Sequence, residues 1–154
     1  MLPKSVEDLE KVRRSCKTMV KKRAAASGGA ALIPVPGADI AADVGMLLEL
    51  IPAINRKFGL TPEQIDELDS SHKALIYVMI KKVGTDLVGR VITQQLVLVA
   101  LKKVGIRMAA KQVLKFIPLA GQAAAVALSV AAMMYVGNSH VDECFDIARA
   151  AIDK

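Results

Sequence analysis

Leu32-Ile33-Pro34-Val35-Pro36-Gly37-Ala38, running on into Ile40-Ala41-Ala42, is the stretch that decides how this chain reads. A near-copy follows later as Phe116-Ile117-Pro118-Leu119-Ala120-Gly121-Gln122, continuing into Ala123-Ala124-Ala125. Each sets proline and glycine inside apolar, alanine-rich sequence that is otherwise good helix material. Proline removes a backbone donor and clashes with the preceding turn, and glycine frees the backbone. The pattern is helix, tight break, helix, used twice, with the breaks at Pro34, Pro36 and Gly37 and at Pro118 and Gly121. Loops of soluble proteins are normally polar. Breaks this apolar suit helical hairpins buried in protein or in lipid. The two breaks are expected to lie close in space, because the alanine-rich helices they open bury best against one another.

Composition agrees. The chain has 154 residues, enough for one domain with a real core. Hydrophobic residues make up 53% and aromatics only 3%, with no Trp, so the core must rest on Ala, Val, Leu and Ile. Such a core relies on close helix–helix approach, and no segment alternates with period two. We therefore expect an all-α fold: a compact bundle of six to eight helices with two Pro/Gly-broken apolar hairpins, forming a single domain over 1–154. Cys16 and Cys144 form no disulfide framework and point to a reducing compartment. The opening Met1-Leu2-Pro3-Lys4 turns charged at once, unlike a signal peptide.

The net charge of +6 is unevenly spread. Lys11, Arg13, Arg14, Lys17, Lys21, Lys22 and Arg23 crowd the first helix, and Lys103, Arg107, Lys111 and Lys115 recur every four residues along a later one. Acidic residues gather in Glu63 to Asp69 and near the C-terminal end. Basic stripes beside apolar faces attract anionic headgroups, at roughly 1 kcal/mol per charge. Lys17, Lys21, Lys22, Lys103, Arg107, Lys111 and Lys115 are the candidate lipid-facing residues, the alternative being a solvated helix face. Nucleic acid is not expected as a partner, for want of stacking aromatics or a recognition motif.

Local signals place the helices. Ser5 caps a first helix reaching about Ala26, with Leu9, Val12, Cys16, Met19 and Val20 as its apolar stripe, before Ser27-Gly28-Gly29 loosens the chain. A second helix spans Ala38 to Phe58, and Pro52 should kink it or end its regular ladder. Thr61-Pro62-Glu63-Gln64 is a strong start signal for a short helix to Leu68. Ser70 or Ser71 opens another, whose run Ala74 to Ile80 is apolar all round and so expected to be centrally buried. A long helix is expected from Leu87 to Lys115. Beyond Pro118 no charge appears until Asp142. Leu119 to Gly137 would measure about 28 Å, near the ~30 Å hydrocarbon core, so it is either a membrane span or a buried bundle helix. Gly137 is expected to stop it, with a final amphipathic helix capped by Ser139 and Asp142.

Little chemistry is written in the side chains. There is no Gly-x4-Gly-Lys-Ser/Thr phosphate loop, so the chain alone is not expected to bind or hydrolyse nucleotide. His140 and Cys144 lie four apart on one helical face, yet no metal-ligand spacing supports a site, and we expect Cys144 to pack inward and His140 to lie in the first turn of the last helix. Asp39 and Asp43 follow a helix start, where carboxylates offset the helix dipole or bind a basic residue of another helix; we read them as structural. No catalytic residue, cofactor or metal is expected, and no enzyme activity.

Ile33-Pro34-Val35-Pro36-Gly37-Ala38-Asp39-Ile40-Ala41-Ala42-Asp43 with Phe58-Gly59-Leu60, and Lys115-Phe116-Ile117-Pro118-Leu119-Ala120-Gly121-Gln122 with Gly137 and His140-Val141-Asp142, together resemble a known helical domain. It follows the GTPase domain in immunity-related GTPases, and the chain is equally similar to the bacterial domain-of-unknown-function family 697, often fused to Era-like or dynamin-like GTPases. The resemblance covers about 12–150. It implies an all-helical domain acting at or near membranes, coupled to a GTPase in many relatives, and supplies no catalytic residues. The GTPase half is absent here. Caps near both ends lead us to expect a stand-alone domain, of bacterial type, that either works with a separately encoded GTPase or functions without one. The leading expectation is thus a non-catalytic, membrane-associated module, cytoplasmic with peripheral or integral inner-membrane attachment, binding anionic lipid, a GTPase or both, and able to form homo-oligomers. A soluble helical docking or oligomerisation domain is the alternative, and a pore-forming effector a more distant one.

Overall fold

A computed structural model describes residues 1–30, 38–110 and 122–153. The chain is all-helical, with no strand among the described residues. The elements are α1 (Val6–Ala30), α2 (Ala38–Phe58), α3 (Pro62–Asp66), α4 (Ser70–Val83), α5 (Gln94–Ala110) and α6 (Gln122–Ile152). Pro34, Pro36, Gly37, Pro118, Gly121, Lys111 and Lys115 lie outside the described residues.

Three helices make the core. Leu9, Cys16, Val20 and Ala24 recur at helical spacing on α1 and are buried, facing Leu47, Leu50, Ile51, Ile54 and Phe58 of α2 and Met133, Val136, Cys144 and Ile147 of α6. Full burial of one such Val, Leu, Ile, Phe or Met side chain is worth about 1.5–3 kcal/mol. Two contacts set the direction of α6 against α1. Arg13 near the start of α1 meets Asp142 late in α6, and Ser27 near the end of α1 meets Ser129 early in α6, so the pair is antiparallel. Lys57 to Ser15 (3.2 Å) and Ser27 to Asp43 make α2 antiparallel to α1 as well. Outside this trio, α5 packs on α2 and α6, α4 on α6, and α3 on α4.

Local signals hold where backbone chemistry dominates. Thr61 and Gln64 form a reciprocal capping box before α3, which ends at Asp66, and Asp69 caps α4 by accepting from the Ser71 and His72 amides at 3.0 and 3.2 Å. Pro52 lies inside α2, and the helix continues past it to Phe58.

Tertiary contacts correct the reading in four places. The first helix does not loosen at Ser27-Gly28-Gly29 but continues to Ala30, because Ser27 is buried and bonded to two other helices. Leu87 to Thr93 is not helical; α5 begins only at Gln94, where the Thr93 hydroxyl accepts from the Leu96 amide at 3.3 Å. The backbone of that segment is claimed elsewhere. Asn55 donates to the Leu87 carbonyl at 2.8 Å, and the Gly89 amide donates to the Leu60 carbonyl at 3.2 Å. Gly89 sits at φ +67, a conformation that a helix does not use and that glycine adopts without strain.

The run Ala74–Ile80 is likewise not centrally buried. Only Ile76 is fully covered, and Tyr77 and Val78 are 42% and 60% exposed, because α4 lies on the outside of the bundle. Finally, Gly137 does not stop a helix. Helix α6 runs 31 residues through it, about 46 Å. A Cβ added at Gly137 would come 2.7 Å from Val20 Cγ1, so α1 and α6 approach at this glycine too closely for any side chain. Proximity to a partner helix, rather than helix termination, accounts for it.

Candidate functional site

The end of α1 and the starts of α2 and α6 are held together by a buried polar clasp. The Ser27 hydroxyl donates to Asp43 Oδ1. Ser129 lies 2.7 Å from Ser27 Oγ and 3.2 and 3.0 Å from the two Asp43 carboxylate oxygens. All three residues are at most 7% exposed. They belong to the last turn of α1, the second turn of α2 and the second turn of α6. Buried hydroxyls and carboxylates must be hydrogen-bonded or cost heavily, so each partner constrains the other two. The clasp fixes together the helix ends that flank 31–37 on both sides and 111–121 on its downstream side.

Asp43 was singled out in the sequence as structural, and it is the hub of this clasp. Asp39 lies in the first turn of α2. Ser27 and Ser129 were not singled out. Serines beside glycine or alanine look like loosening or helix filler, and only their meeting across the chain reveals a role.

The basic residues divide into two sets. Lys17 is drawn to Asp142 at 3.0 Å, and Arg13 donates to the same carboxylate from Nε at 3.0 Å and Nη2 at 2.8 Å. Arg13 also lies over the Phe145 ring, 4.5 Å from its centre. Burial works against the charged form of Asp142, but the hydrogen bonds from Arg13 and Lys17 outweigh it and hold this carboxyl below the usual range. Lys17 is therefore part of the α1–α6 seam. Lys103 approaches Asp86 at 3.9 Å, while Lys21 and Lys22 are exposed on α1. Arg107 lies in the last turn of α5.

A second buried polar cluster joins α2 to α6. His140 is 1% exposed and sits in the middle of α6, not in a first turn. Its Nε2 lies 2.8 Å from Asn55 Oδ1, and Cys144 Sγ lies 3.4 Å from the same oxygen and 3.5 Å from Nε2. Because the Asn55 amide nitrogen donates to Leu87, its oxygen faces His140 and the imidazole proton sits on Nε2. Nε2 is thus a donor and cannot take the Cys144 proton. Burial, assisted by Glu143 and Cys16, also pushes the Cys144 thiol well above its ordinary pKa, and burial raises Cys16 to about 11 against the opposing charge of Lys57. Neither thiol is a ready nucleophile, and Cys144 packs inward as expected. Asn55 escaped the sequence reading. An asparagine within Leu50-Ile51-Pro52-Ala53-Ile54-Asn55 was the available signal, since a polar residue on an apolar helix needs a buried partner.

No group of His, Cys, Asp and Glu suited to a metal ion occurs among the described residues. Among them, too, no helix is long and apolar enough to cross a membrane. From Ser129 onward α6 is a bundle helix, with Ser129, Met133 and Val136 buried against its neighbours. Comparison with protein-family models, with curated proteins and with solved structures finds no match.

Proposed function

We propose that this chain is a non-catalytic helical module that attaches peripherally to an anionic membrane surface through the end of the bundle carrying the two Pro/Gly segments. The observation that carries the reading is the Ser27–Asp43–Ser129 clasp, which gathers the ends of α1 and α2 that flank 31–37 and the start of α6 that follows 111–121. Charge supports the same orientation. Lys21 and Lys22 lie on the half of α1 nearer that end, whereas Glu63, Asp66, Glu67 and Asp69 follow the far end of α2. A negative surface would attract the first end and repel the second. A separately encoded GTPase is the partner that the resemblance implies, on the cytoplasmic side of the membrane.

Vesicle sedimentation tests this. The chain is expected to pellet with phosphatidylserine-containing vesicles at low salt, and less at physiological salt, where exposed charges are screened over about 8 Å. Reversing Lys21, Lys22, Lys103 and Arg107 to Glu together should remove binding while helicity is kept. A parent chain that stays in the supernatant at every salt concentration defeats the reading. Calorimetry with GTP and magnesium is expected to show no binding, consistent with a partner supplying the nucleotide site.

A specific observation favours a second reading, a soluble docking domain. Tyr77, Val78, Val91, Leu98 and Val99, on α4, α5 and the segment between them, are between 39% and 73% exposed. Concentration-dependent self-association in plain buffer, without vesicle binding, would select it.

A further inference from the structure

The outward face of α4 carries Ala74, Tyr77, Val78 and Lys81, which share one side of the helix, with buried Ile76 opposite them. We propose that this face pairs with the same face of a second copy of the chain. The two α4 helices run antiparallel about a twofold axis near Ala74. The proposal rests on the docking reading and gives it a definite partner.

Charge selects the partner. Helix α4 starts just after Asp66, Glu67 and Asp69 and ends on Lys81 and Lys82. Several of the charges around it are already matched. Asp66 is held by Lys73 at 3.0 Å, and Asp69 caps α4 and pairs with His72. Beyond the helix, Asp86 is shared by Arg90 at 3.8 Å and Lys103 at 3.9 Å. Glu67, Lys81 and Lys82 are exposed and have no ion pair among the described residues. One negative charge before the helix and two positive charges at its end are thus left over, with apolar side chains between them. In a twofold contact each patch meets itself reversed, so residue 81 of one copy lies level with residue 67 of the other when the axis is at Ala74. Both ends then bring lysines to a glutamate, whereas a parallel copy would set like charges together. Ala74 is small enough for a close crossing, and Tyr77 and Val78, 42% and 60% exposed, are covered on either side of it. The 14 residues of α4 measure about 21 Å, too short for the roughly 1,200–2,000 Å² buried in stable complexes. The dimer is accordingly a weak one, with a Kd of about 0.1–1 mM.

The test is sedimentation velocity on the full chain in low-salt buffer, from about 10 μM to about 1 mM, which spans the expected Kd. Dimer is expected to grow across this range and to recede when salt screens the exposed charges. Lys81→Glu with Lys82→Glu in one variant, and Glu67→Lys in another, should each associate about tenfold more weakly, because like charges then face each other. Mixed in equal amounts, the two variants should recover the parent's association as a heterodimer, since each reversed charge meets its opposite. Val78→Ser changes no charge and should also weaken the dimer about tenfold; it decides if a charge variant does not fold. A chain that stays monomeric throughout overturns the proposal and removes self-association from the docking reading. Association that none of these variants weakens overturns pairing through α4 and leaves the docking reading standing. Loss in both charge variants without recovery on mixing overturns the antiparallel arrangement.

Discussion

The two sides of this bundle are packed to different standards. Along the α1–α6 seam, the helices come so close that a single added methyl at Gly137 would strike Val20, and Arg13, Lys17 and Asp142 stitch the surface above. On the α4–α5 side, apolar side chains such as Val78 and Leu98 reach solvent, and a cavity of about 150 Å³ lies under α5. Interiors of proteins are close-packed, so a tight seam specifies one arrangement, whereas open space and exposed apolar surface leave room for another molecule. The seam holds the clasped end in place, and the looser side offers surface for contact.

The contrast is broken most directly at Gly137. Gly137→Val should cost about 3 kcal/mol or more in urea unfolding, because the β-branched Val20 cannot swing aside and overpacking strains both helices. Gly29→Ala, where an added Cβ meets nothing within 4 Å, is the control and should stabilise by up to about 1 kcal/mol through helix propensity. Equal effects at the two glycines would remove the distinction between seam and surface.

Asp43→Ala comes next, at about 2 kcal/mol, since Ser27 and Ser129 keep each other but lose the shared carboxylate. Hydrogen exchange should rise first at the end of α1 and the start of α2. A uniform rise would instead mean that the clasp does not act locally.

Asp142→Asn should cost about 0.5–1 kcal/mol, as the carboxylate is substantially exposed and its ion pairs are screened. The sign with pH is fixed by the depressed carboxyl. Its contribution is fully present above the ordinary Asp pKa of about 3.9 and is lost as pH falls through the lower folded value. Parent and variant should therefore converge in stability under acid conditions. A gap that widens on acidification would show that Asp142 acts otherwise.

The smallest effect is expected on the loose side. Val78→Ser, at a position 60% exposed, should change stability by less than about 0.5 kcal/mol. Should the same substitution also dissolve any self-association seen in plain buffer, the α4–α5 face becomes the docking surface of the second reading.

Helical class, the limits of α2, the start signal of α3 and the inward stripe of α1 were all readable from residue pattern. Each depends on neighbours within one or two turns: a capping threonine, a proline at a first position, an apolar residue every three or four places. Four features were not readable, and each turns on a residue distant in the chain. Ser27 extends α1 because Asp43 and Ser129 meet it. Leu87 leaves the helix because Asn55 and Leu60 take up backbone groups of its segment. Gly137 continues a helix because Val20 needs the space, and Val78 is exposed because, among the described elements, α4 packs chiefly on α6. The candidate site divides in the same way. Asp43 and the basic residues stood out by type and spacing, but the clasp and the His140–Asn55 pair exist only through contacts across helices. Glycine and serine have weak local preferences, so a local rule assigns them to loops. Packing and buried hydrogen bonds outweigh those preferences, and which contacts form is settled when the helices meet.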